Sequence, residues 1–266
     1  MNLTDKVFNG ENIAEAIVER EFPKEVIKDT LQTIEEDTLD LTEEMLDIEW
    51  QWQDFESNNH RINTQIKTSS LKESSENRIS TYPGFEIYGV LFEHDRHVLQ
   101  DLIAQMKIEI KQKGFNYMQA IEYVCSSIQY IPYTLILGSD GKCPCEMSFG
   151  SFSGNCTVQS DGRGCCSGIV PFGVYSPVEF VYYKTADCDT RALLAFTFLK
   201  EMGFDVAVMV SNNEGHSVLG ISSTLANNYS YGENNRGKKF ILWELTSPYW
   251  RLGMPVEGND WYAALE

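Results

Sequence analysis

The sequence predicts an α+β fold in which a cysteine-bearing helix packs on an antiparallel sheet, preceded by an N-terminal helical segment. Three observations lead there. Two helical runs come first: residues 95–113, stopped by Gly114, and 117–129, ended by Pro132. A further helix, 188–202, closes at Gly203. Three β-like runs follow at 205–210, 216–221 and 239–245, the last two separated by the polar loop 222–237. Helices followed by strands favour a layered arrangement over alternating β/α units.

The remaining elements are read in chain order. Residues 11–55 read as acidic helices. Ile13, Ile17 and Val18, then Val26, Ile27, Leu31 and Ile34, recur near helical spacing, and Pro23 breaks the run. Leu41, Met45, Leu46, Ile48, Trp50 and Trp52 continue the apolar pattern. This segment is expected to form a helical layer on the main domain. Residues 56–81 are rich in Ser, Asn, Glu and Thr, which predicts a linker or mobile loop and a domain boundary near residue 80. The main domain is then 82–266. Within it, 85–92 has strand-like composition, Pro132 forces an extended chain over 133–137, and 138–176 is rich in Gly, Cys and Ser.

Composition removes whole classes of partner. The chain has 266 residues, enough for one to two domains. Thirty-nine acidic residues against 21 basic ones give a net charge of −18. Nucleic-acid binding needs clustered Lys and Arg, so it is excluded, and the same field opposes docking on an anionic membrane. No apolar run of about 18 residues occurs, so no membrane span is expected. The first ten residues lack the apolar stretch of a signal peptide. No cofactor or metal is expected. His94 and His97 form an HxxH pair without a third ligand nearby, and with Asp95 and Arg96 they read as a charged helix start.

Seven cysteines are present, and Cys143, Cys145, Cys156, Cys165 and Cys166 fall within 24 residues. Disulfides, reduced thiols and a structural zinc site all fit such a cluster, although the spacing matches no standard zinc ribbon. Bonded cysteines would point to an oxidising compartment, and an odd total leaves at least one thiol free. Cys165 and Cys166 lie in a glycine-flanked loop, which suits a nucleophile poorly.

Cys188 is the candidate nucleophile. In TADCDTRALLAFTFLKEMG it stands at a helix start, with Asp187 or Asp189 as cap, where unpaired backbone N–H groups favour a thiolate. The two aspartates act against the thiolate, so an imidazolium partner is required. His216 in NNEGHSVLGI supplies it at the start of a strand, and Gly215 removes side-chain bulk beside it. Glu244 in KKFILWELTS is a carboxylate in an apolar strand, a costly placement unless it is paired, and His216 is its natural partner. Gln129 is a candidate oxyanion donor through its side-chain amide.

Four pieces between about Leu99 and Pro248 give the chain a family resemblance. They are SIQYIPY (127–133), DCDTRALLAFTFLKEMGFDV (187–206), GHSVLGI (215–221) and FILWELTSP (240–248). Together this stretch resembles the transglutaminase-like superfamily, whose members share the papain-like cysteine protease core. The resemblance implies that Cys188, His216 and Glu244 form a triad acting on an amide or peptide bond of a protein or peptide substrate. Two departures stand out: Glu244 replaces the family's usual Asp, and no Trp occurs in 138–187, where true transglutaminases carry an oxyanion-stabilising one. The second departure favours hydrolysis. Acyl transfer to amines and a non-catalytic binding module retaining the fold are the alternative readings.

Overall fold

A computed structural model describes residues 43–81, 86–138 and 166–266. The helices expected over 11–42, and Cys143, Cys145, Cys156 and Cys165, lie outside the described residues. The architecture is α+β, and the cysteine helix packs on antiparallel strands as expected.

The described chain opens with a β-hairpin, β1 (Met45–Gln53) and β2 (Asn59–Lys67), where a helix and a linker were expected. Ile48, Trp50 and Trp52 are buried at every second position, the period of a strand with one buried face. The signal in β2 is thinner because His60 takes a buried position beside Ile62 and Ile66. The turn is built on Asp54, whose Oδ1 accepts the backbone N–H groups of Glu56 and Asn58 at 3.0 and 2.8 Å.

Helix α1 (Thr68–Ser80) occupies the remaining stretch expected as a linker. Its buried positions are Ser74 and Arg78, so it carries almost no apolar periodicity. Ser74 donates to the fully buried Asp95, and Arg78 forms a two-pronged pair with the buried Glu179 at 2.7 and 2.8 Å. Such pairing is what makes burial of these polar groups tolerable.

Helix α2 (Ile87–Asp95) replaces the expected strand. Ile87, Tyr88, Leu91 and Phe92 share one helical face. Helices α3 (Gln100–Gln112) and α4 (Tyr117–Gln129) match the sequence reading, and Asn116 with Gln119 forms a capping box at the start of α4. A short parallel pair follows, β3 (Leu135–Leu137) with β4 (Cys166–Ile169). Helix α5 (Pro177–Tyr183) starts at a second capping box, Ser176 with Glu179. Glu179 therefore both caps α5 and pairs with Arg78.

Helix α6 (Cys188–Glu201) is the centre of the molecule. Residues 190–199 are all buried, so this helix is covered on every side. One side meets the strands. The other meets the hairpin and neighbouring helices: Trp50 lies edge-on to Phe180 and Phe198, and Phe92 lies edge-on to Phe196.

The strands are β5 (Val206–Ser211), β6 (His216–Ser222), β7 (Tyr231–Glu233), β8 (Lys239–Trp243) and β9 (Tyr262–Leu265). They close into a barrel in the order β5-β6-β8-β7-β9, antiparallel except for β7 against β9. Ala207, Met209, Val218, Phe240, Leu242 and Trp261 form a separate apolar cluster. Val206, Val208, Leu219, Ile221, Ile241 and Trp243 join the main core with the helices. Burial of both faces explains why these strands read as unbroken apolar runs. Gly220 keeps a barrel position open, since a Cβ there would stand 2.6 Å from Met209.

Residues 45–81 are thus part of the main fold, joined to the same hydrophobic cluster as α6. We expect Trp50→Ala to destabilise the protein by about 3–5 kcal/mol in urea melts, the range for removing a buried aromatic. A loss below about 1 kcal/mol would mean that the hairpin is a dispensable appendage.

Candidate active site

Cys188 is the first residue of α6 and is 8% exposed. Asp187 is the N-cap, and its carboxylate accepts the Thr190 N–H at 3.2 Å. The thiol receives a backbone hydrogen bond from Ser217. Ser217 directly follows His216 at the start of β6, and its hydroxyl donates to Asp189 Oδ1. Asp189 also accepts the Tyr88 hydroxyl at 2.7 Å. Two adjacent residues of the helix start, Cys188 and Asp189, are therefore stitched to one residue beside His216.

His216 Nε2 lies 2.6 Å from Glu244 Oε2. A carboxylate can only accept here, so Nε2 carries the proton and Nδ1 is the nitrogen left for the thiol. Glu244 Oε1 is held by the N–H and hydroxyl of Thr246, both at 2.7 Å. The carboxylate is thus fixed from both sides. Trp261 stands edge-on to the imidazole, ring centroids 6.0 Å apart. Gly215 has a role other than the one the sequence suggested. A Cβ there would meet nothing within 4 Å, and its φ of +57° shows that the turn into β6 needs a left-handed residue.

The site's charges are unevenly balanced. Burial pushes the Cys188 thiol well up, Asp189 and Asp187 add to this, and the Ser217 N–H opposes it. Burial also raises Asp187, to about 7, with Asp189 adding repulsion. Burial alone would lower His216, but the hydrogen bond and charge of Glu244, with Asp189 and Asp187 behind, outweigh it and raise the imidazole. For Glu244, burial works upward and is outweighed by His216 and Thr246, so its pKa is lowered. The resting thiol is therefore protonated. A thiolate here depends on proton transfer to an imidazole made more basic by Glu244.

Gln129 does not fit the expected oxyanion role. Its amide nitrogen donates to the backbone carbonyls of Glu244 and Trp250 at 2.7 and 2.8 Å, which uses both protons. An amide flip would set its oxygen against two carbonyls, so the orientation is dictated. Gln129 instead anchors the backbone that carries Glu244.

Two residues near the nucleophile escaped the sequence reading. Arg191 is fully buried on α6, and its guanidinium donates to the carbonyls of Ala186, Ile128, Leu245 and Ile131. Burial lowers its pKa to about 10, which leaves it cationic at neutral pH. The available signal was an arginine opening the otherwise apolar run RALLAFTFL. Tyr133, bridged to Ala186, lies under the Arg191 guanidinium at 5.7 Å. Burial and the charges of Cys188 and Asp187 push its phenol up, so it stays a neutral O–H donor. Cys166 is disulfide-bonded, whereas Cys125 and Cys188 are free thiols, and Cys125 is wholly buried.

Comparison of the chain with protein-family models, curated proteins and solved structures gives no match. Among the described residues, no helix is long and apolar enough to cross a membrane.

Replacing Glu244 by Gln removes the main influence raising His216. The imidazole pKa, followed by NMR titration, is expected to fall in E244Q, and an unchanged value would separate Glu244 from His216. A second outcome concerns Asp187. Its folded-state pKa of about 7 lies above its ordinary value of 3.8, so ionising it disfavours the fold as pH rises between them. Asn keeps the N-cap acceptor without the charge. The stability of D187N relative to the parent is therefore expected to grow from pH 4 to pH 7 and level off above. Equal differences at pH 5 and pH 8 would contradict this.

Proposed function

We propose that the chain is a thiol-dependent hydrolase of amide or peptide bonds, a cysteine peptidase or amidase of the transglutaminase-like type with a papain-like core. The observation that carries this reading is the 2.6 Å bond between His216 and Glu244, beside a free thiol at a helix start. The link to the thiol runs through Ser217, the residue after His216, whose N–H bonds Cys188 where α6 packs on β6. Thiol, imidazole and carboxylate are the residue types such chemistry uses.

In this reading the Cys188 proton passes to His216 Nδ1, and Sγ bonds to the substrate carbonyl carbon. The carbonyl π electrons move to oxygen. The N–H of Cys188, in the first turn of α6 and so without an intrahelical acceptor, faces that charge. Collapse of the adduct breaks the C–N bond. The amine leaves with the proton from His216, and a thioester remains on Cys188. Water, deprotonated by His216, then cleaves the thioester and restores the thiol. Arg191 keeps the Cys188 and Glu244 backbones in fixed relation throughout. The raised imidazole holds the leaving-group proton well, while the buried thiol stays unreactive until the proton moves.

Cys188→Ser is expected to lower amide hydrolysis by roughly 10³-fold or more, as for loss of a thiol nucleophile, while leaving the fold intact by circular dichroism. Iodoacetamide is expected to label Cys188 faster than Cys125. Full activity in C188S would take the nucleophile role from Cys188, whereas no hydrolysis in the parent chain together with no labelling preference would leave only the binding-module reading. Ammonia release from a glutamine peptide, with and without added primary amine, assigns the acceptor. Rates unchanged by the amine indicate water, and incorporation of the amine indicates acyl transfer.

A further inference from the structure

Trp261 belongs to two environments. It stands edge-on to the His216 ring, centroids 6.0 Å apart, and it also lines a cavity of about 560 Å³, within the range of small-ligand pockets. The cavity is built where β7 meets the chain entering β9. Tyr229, Tyr231 and Trp261 give it aromatic walls, and Glu233 and Asp260 give it carboxylates. No Lys or Arg lines it.

Two details fix its preference. First, two of its lining residues already hold an ammonium: Lys239 Nζ sits 4.5 Å above the Tyr231 ring and 3.2 Å from Glu233 Oε1. The chain itself thus shows that this aromatic and carboxylate pair accommodates a lysine head group. Second, Asp260 has no cationic partner among the described residues. Its Oδ1 accepts the Ser211 hydroxyl and its Oδ2 the Asn213 N–H. These bonds hold its pKa low, so the carboxylate is ionised and aimed by its neighbours. Gly258, at φ +92°, keeps this wall close, since a Cβ there would stand 3.0 Å from the Trp261 indole nitrogen.

We propose that this cavity is the specificity subsite of the Cys188 site and takes a cationic side chain, lysine or arginine, of a peptide substrate, with Asp260 and Tyr231 as its recognising groups. The proposal rests on the hydrolase reading for the word substrate, but the cavity's preference for a cation stands on its own lining. Trp261 is the shared wall: an apolar stem packed on its cavity side holds the adjoining backbone next to His216. The net charge of −18 acts in the same direction by attracting basic peptides.

Two measurements test this with the full chain. Binding of acetylated, amidated tripeptides with central Lys, norleucine or Glu is measured on Cys188→Ala, so that no turnover intervenes. The lysine peptide is expected to bind about tenfold more tightly than the norleucine peptide, as for a partly desolvated cation over an aromatic face beside a carboxylate. Asp260→Asn and Tyr231→Leu are each expected to remove most of that difference, with thermal melts showing that both remain folded. Equal binding of the three peptides, or a lysine preference untouched in both variants, overturns the subsite. Hydrolysis of the same peptides by the unmodified chain is the second measurement. Selective lysine binding without hydrolysis sinks the hydrolase reading and leaves the cation site standing. Hydrolysis indifferent to the central residue does the reverse.

Discussion

The structure depends on one buried cation. Arg191 reaches the carbonyls of Ile128 and Ile131 at the end of α4, Ala186 before Cys188, and Leu245 after Glu244. These are the segments that must meet for Cys188 and Glu244 to share a site. A guanidinium suits this task because it has five N–H donors in a rigid plane and keeps its charge even when burial lowers its pKa. Four carbonyls left without a donor would each cost about 1–3 kcal/mol. The joint is therefore strongly specified, and Gln129 reinforces it by holding the carbonyls of Glu244 and Trp250.

Around that joint, charge is arranged against spontaneous reactivity. A cysteine at a helix N-terminus in open solvent would have a depressed pKa. Here burial and two flanking aspartates reverse the shift, and the Ser217 N–H opposes it only in part. Glu244, with the same two aspartates behind it, raises His216, so the thiol and imidazole are both biased toward their protonated forms. In the proposed reaction, thiolate formation would await substrate binding and loss of water, which strengthens every local interaction. Asp189 adds a mechanical role through its contacts with Ser217 and Tyr88, which tie α2, α6 and β6 at one point.

Much of the core was legible in the chain. Helices α3, α4 and α6 and strands β5, β6 and β8 carry strong apolar signals because their side chains fill the core. Others were hidden for physical reasons. Helix α1 buries Ser74 and Arg78 through polar pairs, so it reads as a linker. The alternation in β1 was overlaid by acidic residues common in helices. Strands β7 and β9 are three and four residues long, too short to stand out, yet they close the barrel.

By itself, the sequence determined the candidate groups: a cysteine at the head of an apolar helix, a histidine opening a strand, and a glutamate among apolar neighbours. Local pattern suffices for these because each is set by its own element. Tertiary structure alone decided what those groups experience. It exhausted the Gln129 amide on two carbonyls, buried Arg191 as the common anchor, raised the thiol instead of lowering it, and brought Trp261 against His216 and into the lining of an acidic cavity. Hydrogen-bond saturation, desolvation and long-range juxtaposition depend on residues far apart in the chain, and no local window of sequence contains them.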